Sequence, residues 1–245
     1  PLLQRAVRYD RAAGYFNSGG LAAAAQGLAH FVTTGGTMRL IVGAELTEAD
    51  LDAITGGVAV DGVLADRLAG VLPASPEELA DDIWGHRLEV LAWLCAQGRL
   101  EIRVALRRGS DGQFVAADES TTLFHDKYGV FTDGDGRKVA FSGSGNETKA
   151  GWLDNSESFD VYASWWADGM YWRSHGGGIE ADFERLWAGE QIGSWATVPM
   201  ATALREQLIG LAPAEPPVPK QPKPAPAEPV PPVSMVLISA PVAPA

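Results

Sequence analysis

The chain has one cysteine, Cys95, in 245 residues. A lone thiol cannot close an intrachain disulfide, so the fold must stand on its core, and a reducing, cytoplasmic setting is expected. Trp93 and Leu94 beside it mark this thiol as buried and inert. No apolar run approaches the ~20 residues that cross a bilayer, and no basic stretch leads into an apolar one like a secretory signal. No membrane partner is therefore expected. The opening residue is Pro1 rather than Met, the start expected of a processed or excised fragment. Positive charge is scarce, with 19 Lys and Arg against 31 Asp and Glu and a net charge of −12. That balance excludes a protein that coats nucleic acid wholesale. No His/Cys/Asp cluster has ligand spacing, so neither a metal nor a cofactor is expected.

What is present is enough for one core of ordinary size, since 46% of the residues are hydrophobic. Residues 21–32 read as a helix with Leu21, Ala24, Leu28, Phe31 and Val32 on one stripe and His30 on the solvent side. Residues 38–42 read as a short strand. Thr47, Glu48 and Asp50 open a second helix with a cap and early acids. Ser75, Pro76 and Glu78 open a third that runs to about Gln97 and stops at Gly98. Its His86 reads as a structural residue rather than a ligand. Residues 100–106 alternate as a strand, and 109–120 form a polar loop. Residues 124–131 form a strand that turns through Asp133-Gly134-Asp135-Gly136 into 137–142. That turn lacks the later ligands of a calcium loop and reads as a hairpin. Residues 158–166 are a further strand, and Ile179, Phe183, Leu186 and Trp187 mark a final core helix. His175, ahead of Gly176-Gly177-Gly178, reads as part of a flexible loop. Helices alternating with strands, then hairpins, predict an α/β domain with a mixed sheet covered by helices.

Prolines are few up to residue 212 and then dense, with 12 of the 16 between 213 and 244. Three segments follow: a domain over 1–190, a short helical connector over 191–212, and a Pro/Ala-rich linker over 213–245 without a core of its own.

The chemistry concentrates in Phe124-His125-Asp126-Lys127-Tyr128-Gly129-Val130-Phe131, then Gly143-Ser144-Gly145-Asn146, then Asn155-Ser156-Glu157. In a strand, residues two apart share a face, so His125 and Lys127 would project side by side, a nucleophile or base beside a fixed positive charge. Ser144 and Asn146 repeat the geometry if they continue a neighbouring strand. Imidazole attacks phosphorus, and ammonium and amide donors hold its non-bridging oxygens. Basic residues that could line such a site are Lys127, Lys149, Arg103, Arg107 and Arg108.

This ordered set resembles the HKD motif of the phospholipase D superfamily, in its single-motif, nuclease-like branch. It is similar above all to the phospholipase D-like domains found ahead of DEAD/DEAH-type helicases in bacteria and phage-defence systems. Phe141-Ser142-Gly143-Ser144-Gly145-Asn146-Glu147-Thr148, Gly151-Trp152, Asn155 and residues 157–161 carry the likeness, and residues 10–19 and 39–43 look like the opening of such domains. The likeness covers about residues 8 to 190. One position departs: the family's Asp five residues after the Lys is Thr132 here, with Asp133 one step later.

The resemblance implies a phospholipase D-like α/β/α sandwich with a mixed central sheet. It implies a metal-independent phosphodiesterase, a nuclease, working through a phosphohistidine on His125. Lys127 and Asn146 would bind the phosphate oxygens, Ser144 would support the phosphate, and Glu157 would orient His125. The family mechanism uses two histidines, and this chain has one such motif, so a twofold homodimer with a shared cleft is implied. The expected partners are nucleic acid, with DNA ahead of RNA, and a helicase domain or subunit joined through the C-terminal linker. The alternative is a catalytically weak nucleic-acid-binding or assembly module of a helicase complex. Phospholipid hydrolysis ranks behind both, because the chain has no basic amphipathic membrane helix.

Overall fold

The computed structural model describes residues 5–15, 28–78, 82–117, 124, 127–143 and 159–218. Its strands are β1 (Ala6–Tyr15), β2 (Thr37–Gly43), β3 (Leu100–Arg107), β4 (Lys127–Asp133), β5 (Lys138–Gly143), β6 (Phe159–Ala163) and β7 (Trp195–Pro199). They form one sheet in the order β6-β5-β4-β1-β2-β3-β7. The pairs β1–β2 and β2–β3 are parallel, and every other neighbouring pair is antiparallel. The described helices are α1 (Ala29–Thr34), α2 (Glu48–Thr55), α3 (Val60–Arg67), α4 (Asp82–Ala96), α5 (Gly177–Trp187) and α6 (Thr202–Gly210).

The sheet is covered on both faces, which makes the architecture an α/β sandwich with a mixed central sheet. Met38, Leu40 and Val42 of β2, with Ile102, Val104 and Leu106 of β3, pack on Phe31, Leu64, Leu88, Leu91, Leu204 and Leu208 from the helices of one layer. Ala12, Ile41 and Ala105 point the other way and pack on Phe183 and Leu186 of α5. Burial on both sides explains why β2 reads as an almost unbroken apolar run instead of an alternation.

Local signals placed most elements. Thr47 accepts from the Asp50 backbone N–H, the cap its sequence predicts, and the Asp50 carboxylate accepts from the Thr47 N–H in return, so the cap of α2 is reciprocal. The helix expected from Ser75 to about Gln97 is a 3-10 turn at Pro76–Glu78 and, beyond residues 79–81, which lie outside the described residues, α4; Gly98 follows the end of α4 with φ +65°. The Asp133 carboxylate accepts from the backbone N–H groups of Asp135 and Arg137, both at 2.9 Å, and closes the β4–β5 hairpin. Residues 21–27 of the expected first helix lie outside the described residues, as does the side chain of His30.

Two stretches differ from the sequence reading. The stretch 191–212 contains the edge strand β7, which had no counterpart in the sequence reading, and α6, whose Leu204 and Leu208 are buried in the main core. The glycines after His175 are helical, not a flexible loop: a wide helical turn, Trp172–Gly176, runs directly into α5. Close packing is the reason. A Cβ at Gly176 would meet the Trp172 ring at 2.7 Å and Tyr162 Cβ at 3.1 Å. His175 stacks on Tyr162 with ring centroids 5.1 Å apart.

Candidate functional site

The carboxyl ends of β1, β2 and β3 lie at one end of the sheet, and the antiparallel strands bring further termini to the same place. Lys127, the first residue of β4, pairs with Ala13 near the end of β1. Tyr128 pairs with Ser142, and Gly143, the last residue of β5, pairs with Phe159, the first of β6. The segments 16–27, 118–126 and 144–158 therefore all join the sheet at this end. In open α/β sheets, ligand sites gather outside the carboxyl ends of the strands, because loops there can vary without disturbing the core.

Of the residues nominated from sequence, Lys127 is described, and His125, Ser144, Asn146 and Glu157 lie outside the described residues. Lys127 is 7% exposed. Position 125 is bracketed by two fixed neighbours. Lys127 is one, and Phe124 is the other: it is buried against Ala12, Ile41 and Ala105 and lies edge-on to Trp195 with centroids 5.3 Å apart. A Cβ at Gly43 would stand 2.5 Å from that of Phe124, so β2 ends in glycine to let Phe124 lie across it.

A second buried cation shares the face of Lys127. Arg11 pairs with Gly129, one alternate position along from the Ala13–Lys127 pair, so both side chains rise from the same side of the sheet. Gly129 pairs in turn with Phe141, and the Arg11 guanidinium carbon lies 4.9 Å from that ring's centroid. Sequence reading missed Arg11; the available signal was an arginine in the middle of a strand that the core covers on both faces.

The proposed basic lining divides. Arg107 and Arg108 stand at the carboxyl end of β3, with Arg108 over the Phe114 ring at 4.7 Å. Arg103 does not belong to this end. It sits four residues earlier, donates through Nε to Thr197 Oγ1 at 2.9 Å and through Nη2 to the Thr197 carbonyl at 3.0 Å, and covers Trp187. Its role is to tie β3 to β7 and α5. Lys149 lies outside the described residues. Asp133 is committed to the hairpin turn six positions beyond Lys127, about 20 Å away along a strand.

A charged network on the other face of the sheet was also missed. Asp10 is buried and accepts from Arg8 Nε at 2.8 Å and Arg39 Nε at 2.7 Å. Both arginines also donate to Glu184 of α5, at 2.6 Å each, and Arg39 lies over the Phe183 and Trp187 rings. Burial pushes the Asp10 carboxyl up to about 7 against the pull of Arg8, and the nearby carboxylates of Glu184 and Glu180 push it the same way. This network clamps α5 to the sheet. Its sequence signal was charge at Arg8, Asp10 and Arg39 inside otherwise apolar strands.

The remaining candidates are structural. His86 is buried on α4 with Nδ1 3.3 Å from Glu89. Cys95 is buried, and burial raises its thiol above the ordinary range. A groove of about 410 Å³ beside Cys95, Leu100, Met200 and Arg205 opens at the amino end of β3, away from Lys127. Among the described residues, no group of three or more His, Cys, Asp or Glu is placed to hold a metal ion, and no helix is long and apolar enough to cross a membrane.

No protein-family model and no curated protein matches the chain. Among solved structures, the phosphatidylserine synthase of Haemophilus influenzae is similar over 82% of this chain and 36% of its own, with a TM-score of 0.35 and 15% identity. This chain thus spans little more than a third of that protein's length.

Proposed function

We propose that this protein is a metal-independent phosphodiesterase of the phospholipase D type, acting as a nuclease through a covalent phosphohistidine. His125 attacks phosphorus, the bond to the leaving oxygen breaks, and the phosphoryl group remains on the imidazole until water releases it. Lys127 and Asn146 hold the non-bridging oxygens as charge builds, and Ser144 supports the same phosphate. Glu157 accepts a hydrogen bond from His125 and keeps its attacking nitrogen free of the proton. The leaving oxygen takes its proton from His125 of a second subunit, which requires a twofold homodimer with a shared cleft. The substrate is nucleic acid, DNA ahead of RNA, and the 213–245 linker joins the domain to a helicase-type protein in a phage-defence setting.

The observation that carries this reading is the burial of Lys127 where β4 begins, beside the carboxyl end of β1. The segments bearing His125, Ser144, Asn146 and Glu157 are covalently joined to the sheet at that same end. The test compares wild type with His125→Ala on single- and double-stranded DNA in EDTA. Cleavage by wild type alone supports the proposal; cleavage that survives in the variant, or needs added metal, removes it. A second reading has one observation in its favour, the net charge of −12. It is a nucleic-acid-binding or assembly module that does not turn over, and it requires binding lost on Lys127→Ala with no cleavage above the His125→Ala background.

A further inference from the structure

We propose that the groove at the amino end of β3 is a second binding site, for a small organic monocarboxylate with a compact apolar body. The inference is independent of the phosphodiesterase reading, because the groove lies at the opposite end of the sheet from Lys127. Its origin is a mismatch in length between two strands. β7 pairs with β3 from Trp195–Arg107 only as far as Pro199–Arg103, and the chain then leaves for α6. The Met200 N–H donates to the Ile102 carbonyl at 3.1 Å, so the even-numbered residues of β3 turn their backbone groups toward β7. Leu100, two residues earlier, presents its N–H and C=O on that side, beyond the last β7 pair. The space left there is about 410 Å³, within the ~300–1,000 Å³ of small-molecule pockets.

Floor and rim differ in chemistry. Leu100, Ile102, Met200 and Cys95 are buried and form an apolar floor. The rim carries three charges. Arg103 is committed to Thr197, and the nearby carboxylate of Glu101, on the same face of β3, supports its guanidinium. Those two charges balance. Arg205 is different. It stands exposed on α6, whose Leu204 and Leu208 face the core, and among the described residues no ion pair or hydrogen bond engages its side chain. Burial raises the Cys95 thiol, and the charge of Arg205 opposes that rise, which sets the guanidinium close to the floor. The groove therefore holds one uncompensated positive charge within a chain of net −12.

One uncommitted guanidinium beside an apolar floor selects the ligand. The planar fork of Arg205 matches a carboxylate bidentately, and the Leu100 N–H adds a donor fixed by the fold. A phosphate dianion would bring more negative charge than the groove offsets, with Glu101 already at the rim. A neutral apolar molecule would fill the floor and leave Arg205 without its counter-charge. An apolar body on a single carboxylate meets both halves of the groove.

Methyl NMR on the full chain, labelled at methionine and titrated with phenylbutyrate, is the test. Met200 lines the groove, Met38 lies in the main core, and Met170 is exposed elsewhere. The Met200 signal should shift and saturate with a Kd below about 1 mM, while Met38 and Met170 stay in place. Arg205→Gln should weaken binding at least about tenfold, and phenylbutanol, which lacks the carboxylate, should bind wild type more weakly by the same factor. Arg205 is exposed, so its substitution leaves the core intact. The absence of a saturating shift at Met200, or equal shifts at Met38 and Met170, overturns the proposal. Unchanged affinity in Arg205→Gln or for the alcohol overturns it too, as does tighter binding of phenyl phosphate.

Discussion

Lys127 and Asp10 are both buried charges in the central strands, and they make different predictions. Lys127 stands on the face and at the end of the sheet where the proposed phosphate would bind. A charge-assisted hydrogen bond contributes about 1.5–3 kcal/mol, so Lys127→Ala should weaken binding of a fluorescent single-stranded oligonucleotide about 10- to 100-fold by anisotropy. Binding within twofold of wild type would remove Lys127 from the site. Asp10 lies on the opposite face, in the clamp that holds α5. Its carboxyl is raised from 3.8 to about 7 in the folded protein, chiefly by burial. Between those values the folded state binds more protons at this residue than the unfolded chain does, so its contribution to stability falls as pH rises. The stability of wild type relative to Asp10→Asn, from urea unfolding, should be greatest near pH 4, decline to about pH 7, and then level. A difference that grows with pH across that window would contradict the raised value.

At the scale of elements, glycines separate packing from flexibility. Gly176→Ala should destabilise by about 1–3 kcal/mol, because the new methyl meets the Trp172 ring and Tyr162 in a filled space. Gly178→Ala, two residues further along the same helical run, meets nothing within 4 Å and should be neutral or stabilising by up to ~1 kcal/mol. Equal effects in thermal melts would mean that the segment is the loop its sequence suggests. That contrast shows where legibility ended. Thr47 with Asp50, Pro76 after Ser75, and the Asp133–Gly136 turn act through neighbours in sequence, and each could be read without a fold. Gly176 answers to Tyr162, fourteen positions away, and Arg39 to Glu184 across 145 positions, so their roles required the fold. The strand β7 was missed for a similar reason: Ala196 and Thr197 are buried by partners from α5 and β3 that its own short sequence does not reveal. The candidate site was legible only as an ordered set of residue types, and Lys127 is the nominated member whose surroundings the structure describes.

For the whole molecule, the central difficulty of the proposed function is that a chain of net charge −12 would act on a polyanion. A local basic end resolves it if few phosphates are engaged at once. The logarithm of binding affinity against that of salt should then have a slope of magnitude about 1–3, far shallower than for proteins that coat DNA. A steeper slope would mean a broad basic surface that the composition does not supply. The shared-cleft mechanism also requires two subunits, so the mass in solution at working concentrations should be twice the 25.9 kDa of one chain. A monomer that cleaves DNA would refute the two-histidine scheme while leaving the phosphate site intact. The central claim is tested most directly by rapid acid-free quenching of a single turnover in EDTA, followed by peptide mass spectrometry. The account predicts a phosphoryl-linked DNA adduct on His125 that is absent from His125→Ala. Cleavage without any adduct, or an adduct on another residue, would contradict it.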